Sequence, residues 1–118
     1  MKVTARPPQP DPAILRVGLE VALEFGENWL QPIQPRLARR YPDLSAAERD
    51  ECDRVCREAM NYGHAQVPGF WRAASGDERA AFARWSTDFL ARYPWASAEN
   101  LKHTFSQGRY YAWKDGDL

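Results

Sequence analysis

Residues 92–114 read RYPWASAENLKHTFSQGRYYAWK, and the first seven of them echo residues 40–46, RYPDLSA. In each copy the proline ends a helix, because its ring excludes the αR region for the tyrosine before it and it has no N–H to donate. Ser45 and Ser97 then start the next helix. Ser45 forms a capping box with Glu48, and Glu99 stands in a first turn, where the helix dipole favours negative charge. The flanks match in type, Leu37 with Phe89 and Ile33 with Trp85. The expectation is an all-α fold of two α-hairpins joined by RYPxxSA-type loops and closing into a four-helix bundle. Convergent loop chemistry, Pro to stop and Ser to start, accounts for the echo as well, since identities fade beyond the loop.

Upstream, residues 1–11 are Pro-rich and read as a flexible tail, leaving 12–118 as a single helical domain. Asp11 followed by Pro12 is a helix start. From Ala13 to Leu30 one stripe carries Ile14, Gly18, Val21, Ala22, Phe25 and Trp29, broadened by Leu15, Leu19, Leu23 and Leu30. The alternation of Val17, Leu19, Val21, Leu23 and Phe25 is strand-like, but the chain offers no second strand to pair with. Pro32 and Pro35 either kink this first helix or split off a short one over Arg36–Arg40. The next helix carries Cys52, Val55, Cys56, Ala59 and Met60 and is expected to end near Gly63. His64 to Gly76 then reads as a connection that folds Phe70 and Trp71 over the core. Ser75 with Glu78 reads as a capping box for the helix Asp77–Arg92, whose stripe is Phe82, Trp85, Phe89 and Tyr93. The last helix is expected to run unbroken through Gly108, with Leu101, Phe105, Gly108 and Ala112 facing the core.

Composition removes several functions. Lys and Arg total 16, Asp and Glu total 16, and no basic block stands out, so binding of nucleic acid by phosphate neutralisation is not expected. The most apolar run, Ile14–Phe25, is broken by Arg16, Glu20 and Glu24, and the apolar stripes face mixed charge. Neither a membrane span nor a membrane-surface helix is expected. Residues 1–12 lack the apolar core of a signal peptide, so the default location is the cytoplasm. Abundant Ala and Arg over Lys suit a GC-rich, bacterial genome. Cys52 and Cys56 lack the C-x-x-C spacing of metal knuckles and lie on a core stripe, where free Cys behaves as a small apolar group. Glu20, Glu24 and Glu27 share a face that reads as solvated or Arg-paired, and there is no Glu-x-x-His to make a di-iron site. No nucleophile motif or phosphate loop is present, and no catalytic residue, metal or cofactor is assigned.

Two candidate surfaces remain. Asn100, His103, Gln107 and Tyr110 fall on one line of the last helix with Arg109 alongside. That stripe suits a small polar ligand, or a small enzyme in which His103 titrates near neutral pH. The second is aromatic. Trp71, Trp95, Tyr110, Tyr111 and Trp113 exceed what four short helices bury, and those left exposed form a contact patch for a protein partner or a second copy. The first expectation is therefore a protein-interaction or regulatory module without catalysis. A polar-ligand site is the alternative. A solvated helix face and an aromatic core explain the same residues without any site.

Overall fold

The structure, a computed structural model, describes residues 10–24 and 32–118. Among them stand five helices and no strand: α1 (Pro12–Ala22), α2 (Gln34–Arg40), α3 (Ala46–Ala73), α4 (Glu78–Arg92) and α5 (Ala98–Lys114). In place of a single kinked first helix, α1 and α2 are separate elements, the alternative that Pro32 and Pro35 also allow. Phe25, Trp29 and Leu30, expected on the first helix, lie outside the described residues, as do residues 1–9 of the expected tail. Asp11 starts α1, its carboxylate accepting from the Ala13 N–H at 2.7 Å, with Pro12 in the first turn.

The two echoed segments share a backbone path. Tyr41 closes α2 at φ −130°, ψ 73° and donates its N–H to the Leu37 carbonyl; Tyr93 closes α4 at φ −127°, ψ 71° and donates to the Phe89 carbonyl. Each tyrosine carbonyl then accepts an N–H three residues on, from Leu44 and from Ala96, both at 3.1 Å. Ser45 and Ser97 follow, extended, and each opens a capping box. The third residue of the box is Glu48 in α3 and Asn100 in α5.

Helix α3 does not stop near Gly63. It runs on to Ala73, through Pro68, and the expected connection is helical. The stripe Cys52, Val55, Cys56, Ala59, Met60, Gly63 and Val67 is buried without a break. Burial of Val67, and half-burial of Phe70 and Trp71 against the core, outweighs the roughly 3 kcal/mol cost of an internal proline. Gly63 is a point of close approach. A Cβ there would sit 2.7 Å from Thr104 Cγ2 and 2.9 Å from Phe89 Cε1, and the indole N–H of Trp85 donates to the Gly63 carbonyl at 2.8 Å. The turn after α3 uses Ser75 (φ 53°) and Gly76 (φ 79°), so Ser75 is not a cap. Asp77 caps α4 instead, accepting from the Ala80 N–H at 3.1 Å.

Helix α3 is central and packs against the other four; α5 packs on α3, α1 and α4. The core is aromatic at the α4–α5 end, where Trp85 stacks on Phe89 with centroids 4.9 Å apart and meets Phe105 edge-on at 5.4 Å. At the α1–α2 end it is aliphatic, with Leu15, Leu19, Ile33 and Leu37 fully buried. Helix α5 is unbroken through Gly108. A Cβ at that position would meet Val67 Cγ2 at 2.8 Å and the His64 Cα at 3.1 Å. That close approach seats α5 on α3 and turns its polar stripe toward α1.

Candidate functional site

The seam between α1 and α5 is built from the polar stripe, whose members divide in two. Asn100 is fully buried. Its Nδ2 donates to the Arg16 carbonyl at 3.1 Å and to Glu20 Oε2 at 2.8 Å, while its Oδ1 accepts from the Ser97 N–H at 3.0 Å. Two turns on, Gln107 is also buried and donates to the Leu23 carbonyl at 2.8 Å, where α1 ends. Both amides are engaged with α1 and clamp the seam. His103 lies between them on the outer side. Its Nδ1 stands 2.5 Å from Glu20 Oε1 and its Nε2 3.6 Å from Glu99 Oε2, with about half of the imidazole exposed.

Beside His103 a groove of about 620 Å³ opens, lined by Glu20, Leu23, Glu24, His103, Ser106, Gln107 and Tyr110. Glu20, Leu23, Glu24 and Ser106 are the members that the sequence left outside the stripe. Among the described residues Glu20 is held by Asn100 and His103 and by no arginine, whereas Glu24 pairs with Arg36. Glu27, the third acid of that face, lies outside the described residues. The signal for Glu20 was its place at the edge of the α1 apolar stripe, but pairing it with α5 needed the helix packing. Behind the stripe, burial pushes the His64 imidazole down to about 4, with the Gln107 side chain opposing the shift. Its Nε2 and the Gln107 Oε1 are buried without a hydrogen-bond partner among the described residues.

The aromatic set also divides. Trp95, expected in the exposed patch, is buried at 8% exposure. Its ring packs edge-on to Tyr93, and its carbonyl accepts from Arg16 Nε at 2.7 Å, because the turn before Ser97 folds inward over α1. Tyr111 is half-buried against His64, with centroids 5.8 Å apart. Trp71 is half-buried under the Arg109 guanidinium, 5.3 Å from the ring centroid. Arg109 itself pairs with Glu78 of α4 at 2.8 Å, so it turns from the polar groove and lines a neighbouring one of about 530 Å³ with Trp71, Ser106, Tyr110, Trp113 and Leu118. Tyr110 and Trp113 are left exposed, their centroids 6.3 Å apart, and Tyr110 borders both grooves.

The cysteines are fully buried with their Sγ atoms 3.9 Å apart, and Cys56 donates to the Leu15 carbonyl at 3.4 Å. The hydrogen bond with Cys52, and burial after it, push the Cys56 thiol well above the ordinary thiol range, which leaves it a packing group and not a nucleophile. Among the described residues no group of three His, Cys, Asp or Glu is placed to hold a metal ion, and no helix is long and apolar enough to cross a membrane. Compared with protein families, with curated proteins and with solved structures, the chain has no match.

Proposed function

We propose that the protein works by binding protein through the aromatic end of α5 and performs no catalysis of its own. The observation that carries this reading is the exposure of Trp113 at 66% and of Tyr110 at 48%, side by side on the last turns of α5. Trp and Tyr dominate interface energetics once a partner excludes water from them. The other described tryptophans, Trp71, Trp85 and Trp95, are buried or half-buried, so exposure at 113 is a local property. The flanking charges favour a second copy as the partner. Lys114 is followed by Asp115 and Asp117, all exposed, and a two-fold pairing of α5 ends sets the base of one copy against the acids of the other. For the scaffold beneath, we infer two like-built hairpins, α2–α3 and α4–α5, with α1 added to that four-helix unit. Light scattering on wild type and on the Tyr110→Ala/Trp113→Ala variant tests the reading. It predicts a dimer that the variant loses.

A second reading rests on His103 at the edge of the α1–α5 groove. A small polar ligand seated there meets Glu20, Ser106 and the Tyr110 hydroxyl. In a thermal-shift screen of small polar compounds, this reading requires that stabilisation by a hit disappear in His103→Ala. Hits that stabilise the variant equally would end it.

A further inference from the structure

The turn that ends α4 closes a third groove, of about 720 Å³, against α1 and α3, and its lining is basic. Arg16 of α1, Arg54 of α3 and Arg92 of α4 all line it, with Glu58 as their counter-charge. Arg54 is already neutralised, pairing with Glu51 at 2.8 Å and with Glu58 at 3.3 Å. Glu58 is further taken up by the Tyr93 hydroxyl, which donates to it at 3.0 Å.

Arg16 and Arg92 are held differently. Arg16 Nε donates to the Trp95 carbonyl at 2.7 Å. Arg92 Nε donates to the Tyr93 hydroxyl at 3.3 Å, and its guanidinium stacks 4.5 Å over the Tyr62 ring. These partners are neutral. They fix each side chain by its Nε edge or its flat face, and the Nη groups of both have no acceptor among the described residues. Two oriented guanidinium forks, neither in an ion pair among the described residues, therefore border one groove, with Glu58 acting on the Arg92 charge from a distance. Much of the remaining lining is apolar: Pro10, Pro12, Leu15, Val55, Pro94 and Trp95. The size is that of a small-molecule site.

We propose that this groove binds a phosphate monoester carried on an apolar or aromatic body. The guanidinium fork matches oxyanion geometry bidentately. Two separate forks suit a dianion with three terminal oxygens better than a carboxylate with two oxygens and one charge. The apolar wall takes the ester group, which inorganic phosphate lacks. None of these lining residues borders the grooves beside Tyr110, so failure here leaves the reading of the α5 surface standing, and the reverse holds too.

The test is titration of the full chain with phenyl phosphate, followed by the 15N–1H signals of the Arg Nε and Trp indole groups. Phenylacetate, phenol and inorganic phosphate are the comparators. Phenyl phosphate should bind saturably with a Kd of roughly 0.1–1 mM, at least about tenfold tighter than each comparator, and shift the Trp95 indole. Arg92→Gln, at an exposed position, should weaken it about tenfold or more, and Arg92→Lys should also weaken it by losing the fork while keeping the charge. Trp113→Ala should bind as wild type does. Phenylacetate binding as tightly as phenyl phosphate, no saturable shift up to about 10 mM phenyl phosphate, or binding by both Arg92 variants as tight as that of wild type would each overturn the proposal.

Discussion

Asn100 Nδ2 stands 2.8 Å from Glu20 Oε2, so the residue that completes the capping box of α5 also ties that helix to α1. The matching residue of the α3 box, Glu48, is exposed and among the described residues reaches only the Ser45 N–H, at 2.7 Å. One loop design thus closes two helices, and in one of them the capping side chain has become part of the core.

That difference predicts unequal costs. Asn100→Ala removes the cap and leaves the Arg16 carbonyl and the Glu20 carboxylate without their buried donor, for a loss of about 2–4 kcal/mol in urea unfolding. Glu48→Ala should lose about 1 kcal/mol or less. Equal losses would mean that the bonds across the seam add nothing.

Two glycines of α3 should respond to alanine with opposite signs. At Gly63 the new methyl meets Thr104 and Phe89 below 3.0 Å, and neither helix yields cheaply, so Gly63→Ala should destabilise by about 1–3 kcal/mol. At Gly69 nothing lies within 4 Å of the added Cβ, and Gly69→Ala should stabilise by about 0.5–1 kcal/mol through the helix propensity alone. Thermal unfolding of the two variants measures both signs.

His64 gives stability a pH dependence. Its folded-state pKa is lowered to about 4 by burial, while the unfolded chain takes up its proton near the ordinary histidine value of about 6.5. The stabilisation is therefore complete above about pH 6.5, falls as the pH drops toward 4, and is flat below that, with a full span of about 3 kcal/mol. In His64→Gln that part of the slope should vanish. An unchanged slope between pH 6.5 and 4 would show that the imidazole is not buried in its neutral form.

Much of this was legible in the sequence, for local reasons. The Pro stops at Pro42 and Pro94, the caps at Ser45 and Ser97 and the polar line on α5 all act within a turn or two of chain, whereas the left-handed turn at Ser75 moves the α4 cap to Asp77. What the sequence could not decide was set by packing. Pro68 and Gly63 look like helix breakers, yet α3 passes through both because Val67, Phe70 and Trp71 gain burial there. Trp95 looked like part of an exposed patch and is folded inward, its carbonyl held by Arg16 of a helix far away in sequence. Glu20 reads as solvated or Arg-paired in the sequence because its partners, Asn100 and His103, come from the other end of the chain.

Molar mass in solution across a concentration series reads out whether the exposed aromatic end of α5 makes a contact with a second copy. Light scattering on a size-exclusion column should show wild type passing from monomer to dimer as concentration rises. Each truncation at Tyr110 or Trp113 should weaken that dimer by about tenfold or more. A wild type that remains monomeric throughout the series, or a dimer indifferent to both truncations, would contradict the account.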